Sequence, residues 1–97
     1  MPTYLMLVNL TDQGARGVKD IPNRQDVSRA TAKQFGVERK QVFMIFGPYD
    51  FVHVYDAPND DAMAQFALKL GSLGNVRTLV MRAWDESEHL PLIRQLP

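Results

Sequence analysis

His53 carries the strongest suggestion of proton chemistry in this sequence. It lies between Phe51 and Tyr55 in a run of alternating aromatic and β-branched residues, and a strand's period of two puts these three side chains on one face. An imidazole so placed could act as a general base or ligate a haem in a cleft, with Tyr49 or Tyr55 supplying a hydroxyl donor. The alternative is an interface histidine whose hydrogen bonds are satisfied. Arg77 could grip a carboxylate with two parallel N–H donors, and Arg24, just after Pro22, could contact an anion. Arg77 could equally close an ion pair with Asp50 or Asp56 across a dimer, and Arg24 could be a plain surface charge.

Several chemistries are missing their residues. The chain has no cysteine, which removes disulfides, thiolate metal sites and cysteine nucleophiles together. No second histidine or carboxylate cluster stands at metal-ligand spacing from His53, so no metal site is expected. Asp60 and Asp61 follow Pro58 where acidic side chains cap a helix start against its macrodipole. Ser28, Ser72 and Ser87 lie outside any nucleophile-elbow pattern. Gly71 to Gly74 lacks the lysine and the strand-to-helix direction of a phosphate loop, and no cofactor signature is present.

A chain of 97 residues supports one hydrophobic core rather than two. Its hydrophobic fraction of 45% and charged fraction of 23% are ordinary for a globular domain. Eleven basic side chains balance eleven acidic ones, leaving no net field toward nucleic acid or anionic lipid. No stretch approaches the length of a membrane span, and Met1 to Leu10 has neither a basic leader nor a cleavage site, so it reads as a strand of a cytoplasmic protein.

The elements that must position His53 follow from periodicity and breakers. Thr3 to Leu10 is apolar on both sides of the pleat, as in a strand covered on both faces. Thr11 offers an N-cap and Asp12 a favourable first-turn charge for a helix. Gly14, Gly17 and Pro22 predict a break near Ile21–Pro22, after which Val27, Ala30, Thr31, Gln34 and Phe35 resume helical spacing up to Gly36. Val42 to Phe46 and Tyr49 to Tyr55, split by Gly47–Pro48, read as a hairpin. Asn59 to Asp61 open a helix with Met63, Phe66, Ala67 and Leu70 on one face, and a last strand runs from Asn75 to Ala83.

The order strand, helix, strand, strand, helix, strand predicts an α+β ferredoxin-like βαββαβ sandwich, a four-stranded antiparallel sheet with two helices on one face. Residues 1–84 form this domain, and 85–97 form a tail with a short helix. With Leu5, Leu7, Val52 and Val54 turned toward the helices, Tyr4, Met6, Val8, Phe51, His53 and Tyr55 would form the opposite face. That face is too apolar to stay wet. Its expected partner is a second copy of the chain, in a homodimer or higher homo-oligomer.

Gly47-Pro48-Tyr49-Asp50 before a strand, then Ala57-Pro58-Asn59-Asp60, and later Gly74 to Thr78 with Arg82-Ala83-Trp84, resemble the GYD domain family, as does Tyr4 to Thr11 with Gly14 close behind. Here Pro48 is inserted between the glycine and the tyrosine of the family's name motif. The resemblance spans roughly Met1 to Trp84 and implies membership of the dimeric α+β barrel group, in which the sheets of two ferredoxin-like units pack face to face.

An RNA-recognition module shares this element order. Leu5 to Leu10 fits its first strand except at Met6, where a stacking ring is wanted, and Tyr49 and Phe51 fall where rings would sit on the third. Gly47 in place of a basic residue, and the charge of Asp50, argue against nucleic acid as a partner. Two functions are left. One is a homo-oligomeric domain that binds a small ligand or a partner protein. The other is a cofactor-independent oxygenase or isomerase with a pocket between sheet and helices, using His53 for proton transfer, Tyr49 or Tyr55 as donor and Arg77 as anion anchor. A closed cavity around His53 with a polar partner and a shifted pKa would favour the enzyme, and a dry dimer contact the binding domain.

Overall fold

A computed structural model describes residues 1–97. The elements in chain order are β1 (Thr3–Leu10), α1 (Asp12–Arg16), a 3-10 turn (Val18–Asp20), α2 (Ile21–Gln34), β2 (Glu38–Met44), β3 (Phe51–Asp56), α3 (Asp60–Ser72), β4 (Val76–Ala83) and α4 (Glu86–Arg94). The strands form one antiparallel sheet in the order β2-β3-β1-β4, the ferredoxin-like arrangement.

Local chemistry accounts for the helix boundaries. The Thr11 hydroxyl accepts a hydrogen bond from Gly14 N–H at 3.1 Å and donates to the Gly74 carbonyl at 2.6 Å, so one cap also ties α1 to the turn before β4. Gly14 is required at that junction, because a Cβ there would lie 2.1 Å from the Asn75 carbonyl oxygen. The break comes where Pro22 demands it: α1 stops at Arg16, and α2 restarts at Ile21 with Pro22 in its first turn, where a missing N–H is harmless. Asn59 caps α3 by accepting from Ala62 N–H at 2.9 Å. Asp60 does something else: it accepts from the Tyr4 hydroxyl at 2.5 Å, holding the start of α3 to β1.

The sheet faces the helices with the opposite side from the one expected. Tyr4, Met6, Val8, Phe51, His53 and Tyr55 are all buried beneath the helices, so they are core residues and do not form the exposed face. Aromatic bulk decides this orientation. α2 buries only Ala32 and α3 only Met63 and Phe66, so strand side chains must fill the space between the layers. Tyr55 meets Phe66 edge to face at 5.2 Å between centroids, and Phe35 closes on Phe66 at 6.3 Å.

The helix-free face carries the other register. Phe43, Val52, Leu7 and Leu79 are aligned across all four strands, and Val54, Leu5 and Met81 form a second row beside them. Asn9 and Arg77 pair at one end of the rows, Thr3 and Asp56 at the other. Phe43 and Leu79 are each about half exposed. At ~4.8 Å per strand this apolar band extends about 14 Å from β2 to β4.

α4 lies outside both layers. Asp85 and Glu88 form a reciprocal capping box at its start, and Arg82 stacks over Trp84 at 4.4 Å from the ring centroid. Leu92 and Ile93 on this helix, and Leu96 just past its end, are more than half exposed, so its apolar side is left uncovered within one chain. The longest dimension of the molecule is 52 Å.

Candidate functional site

The first half of α2 does not seal against the sheet. Val27 is half exposed and the only buried residue of the helix, Ala32, lies near its other end. Between α2, the end of α3 and strands β1 and β3 there is a cavity of about 340 Å³, at the small end of the range for ligand pockets, ~300–1,000 Å³. Its floor is Met6, Val8 and Phe51, its walls include Ile21 and Leu70, and its polar groups come from Arg24, Gln25, Ser28, His53 and Asn75.

Three candidate residues converge here. His53 lines the cavity, and its Nδ1 lies 2.9 Å from the Tyr55 hydroxyl beside it on β3, with the two rings stacked at 5.5 Å. Arg24 lines it from α2. Its Nη2 donates to the carbonyls of Gly14, at 3.0 Å, and Gly17, which binds α1 to α2. Its Nε–H is buried without a hydrogen-bond partner, 3.9 Å from the Asp20 carboxylate.

Arg39, a residue the sequence reading passed over, lies outside the cavity lining and holds two of its residues. It comes from β2 and donates to the Ser28 hydroxyl and the Gln25 carbonyl, each at 3.2 Å. In the sequence it stands in the polar start of β2, Glu38-Arg39-Lys40-Gln41, where its residue type does not set it apart from a surface charge. Burial pushes the His53 imidazole down to about 4, with the nearby Arg39 charge adding to the effect. Burial likewise pushes the Tyr55 phenol up to about 12, the Arg39 guanidinium acting weakly in the other direction. Both groups are therefore neutral at pH 7.

Tyr49 and Arg77 are elsewhere. Tyr49 is half-buried in the loop between β2 and β3, and Arg77 is exposed on the helix-free face opposite Asn9. Neither lines the cavity. Asp50 accepts from Leu10 N–H at 2.8 Å and Asp56 from the Thr3 hydroxyl at 3.3 Å, so both carboxylates have partners within the chain. Phe51 is buried under the helices, on the wrong side of the sheet for the base-stacking platform of an RNA-recognition module.

The chain matches the GYD domain family over residues 4–92. It belongs to that family. A Thermus thermophilus protein named glutamine synthetase and cystathionine beta-lyase binding protein is 37% identical over 84 residues, covering 86% of this chain and 88% of that protein. Among solved structures, FFRP-DM1 superposes with a TM-score of 0.61 at 20% identity, covering 87% of this chain and all of that one. MtbAldR gives 0.68 at 15% identity over 88% of this chain, which corresponds to 54% of the larger protein. These two likenesses establish the shared ferredoxin-like fold. No helix of the GYD domain described here is long and apolar enough to cross a membrane.

Proposed function

We propose that this GYD domain is a protein-binding module that works as a homodimer, two sheets packing through their helix-free faces into an α+β barrel. The observation that carries the reading is the pair of apolar rows on the sheet, one crossing β2, β3, β1 and β4 through Leu7 and the other crossing β3, β1 and β4 through Leu5, with Gln41 beside it on β2. Contiguous apolar surface of this kind is seldom left in water, and a two-fold copy supplies a complementary band without further design. The polar ends of the rows, Asn9 with Arg77 and Thr3 with Asp56, suit an interface rim. The dimer residues so proposed are Leu5, Leu7, Val52, Val54, Leu79 and Met81, in place of those on the buried face.

Binding to other proteins is supported by the relative, whose name records glutamine synthetase and cystathionine beta-lyase as its partners. Pairing of the sheets would leave the exposed apolar side of α4 as the surface that meets them. Proton-transfer catalysis has the cavity, the Tyr55 partner and the shifted pKa in its favour. The direction of the shift counts against it, because a base of pKa about 4 abstracts protons poorly at neutral pH.

Sedimentation of the purified protein at micromolar concentration, beside Leu7→Glu, tests the dimer. The expected result is a dimer for the native chain and a folded monomer for the variant, which places a carboxylate in the middle of the rows. A native chain that stays monomeric at millimolar concentration would overturn the reading. Adding purified glutamine synthetase to the same cell tests the partner, with co-sedimentation expected for the native chain.

A further inference from the structure

Arg24 and His53 line the cavity under α2 with no carboxylate in the lining, and that pairing identifies the chemistry it would take. Tyr55 is fully buried, so its hydroxyl proton needs an acceptor within the protein. The Arg39 guanidinium, whose charge acts on that hydroxyl, has donors only. The acceptor is therefore His53 Nδ1, at 2.9 Å. A neutral imidazole that accepts at Nδ1 carries its hydrogen on Nε2. His53 makes no other hydrogen bond in the chain and its ring lines the cavity, so Nε2–H is a free donor there.

Arg24 adds a guanidinium charge to the lining, and its Nε–H finds no acceptor within the chain. Its Nη2 is committed to the Gly14 and Gly17 carbonyls, while Nε–H is buried without a partner, and Asp20 at 3.9 Å is beyond hydrogen-bond length. No carboxylate lines the cavity. A largely apolar chamber lined by a guanidinium and an imidazole N–H, with only the neutral side chains of Gln25, Ser28 and Asn75 as further polar groups, lacks a negative acceptor.

We propose that this cavity binds a small apolar carboxylate, with its hydrocarbon body against Met6, Val8, Ile21 and Leu70 and its carboxylate accepting from Arg24 and His53. The site lies on the helix side of the sheet, so it remains open when the helix-free faces pair. The proposal is therefore independent of the dimer.

The test uses octanoate, indole-3-acetate and 1-naphthylacetate, each beside its primary amide, titrated into the full chain and followed by amide and ring resonances in NMR. The amides keep the shape and lose the charge. At least one acid is expected to bind with shifts centred on Met6, His53 and Leu70, and its amide to bind at least tenfold more weakly. Arg24→Gln is expected to bring acid and amide to the same affinity. Because that variant also loses the contacts to Gly14 and Gly17, the native chain supplies a second readout: the His53 ring nitrogens should report the Nε2–H tautomer. The proposal is overturned if none of the acids binds, if amides bind as tightly as acids, or if the ring carries its proton on Nδ1.

Discussion

His53 is an example of a side chain whose neighbours fix its charge more firmly than its own chemistry does. Its pKa of about 4 lies below the 6.5 of an unfolded imidazole, so between these values the unfolded chain holds a proton that the folded chain does not. Stability therefore rises with pH through this window and is flat, for this group, above it. The full span corresponds to roughly 3 kcal/mol, present above pH ~6.5 and lost by pH ~4. Denaturant titrations at a series of pH values should show that limb. In His53→Phe it should flatten, with a pH-independent loss of about 1–3 kcal/mol from the orphaned Tyr55 hydroxyl. A limb of unchanged slope in the variant would assign the acid sensitivity to other groups.

At the scale of elements, the motif that names the family has a structural use in this chain. Asp50 closes the β2–β3 connection: its carbonyl accepts from Ile45 N–H at 2.9 Å, its own N–H donates to the Val8 carbonyl at 2.9 Å, and its carboxylate accepts from Leu10 N–H at 2.8 Å. One residue thereby holds the hairpin loop against the end of β1. Asp50→Ala should cost about 1–3 kcal/mol by leaving Leu10 N–H unpaired, seen as a lower urea midpoint at unchanged slope. Asp50→Asn keeps an acceptor oxygen and should recover most of the loss. If alanine and asparagine prove equally destabilising, the carboxylate has another role.

The same scale shows what the sequence made legible. Element order, the Thr11 cap and the interruption at Pro22 could be read because each rests on a local steric or hydrogen-bonding rule. The pairing of His53 with Tyr55 was equally accessible, since residues two apart on a strand share a face. The choice of face was not. β1 alternates Tyr4, Met6 and Val8 with Leu5 and Leu7, and both sets are apolar, so hydropathy assigns no inside. What settles it is volume: helices whose buried contributions are Ala32, Met63 and Phe66 need the aromatic set against them. The cavity was illegible for a related reason, because it arises where α2 stands away from the sheet, and no residue type records a gap.

Reversing the faces left the whole-molecule argument standing, since the side turned outward is apolar in either register. Its consequence for stability can be measured without any knowledge of partners. A subunit that buries Leu5, Leu7, Val52 and Val54 only on association gains stability by mass action, and its melting temperature then depends on protein concentration. For a domain of this size, each tenfold increase should raise the midpoint by roughly 3–5 °C. Leu7→Glu should melt lower and show no such dependence. Ser72→Lys, at an exposed position at the end of α3 on the other side of the sheet, should keep the full slope. Melting curves of the native chain that superimpose across a hundredfold range of concentration would mean that the band between β2 and β4 stays wet, and the dimer would have to be given up while the cavity beneath α2 kept its own test.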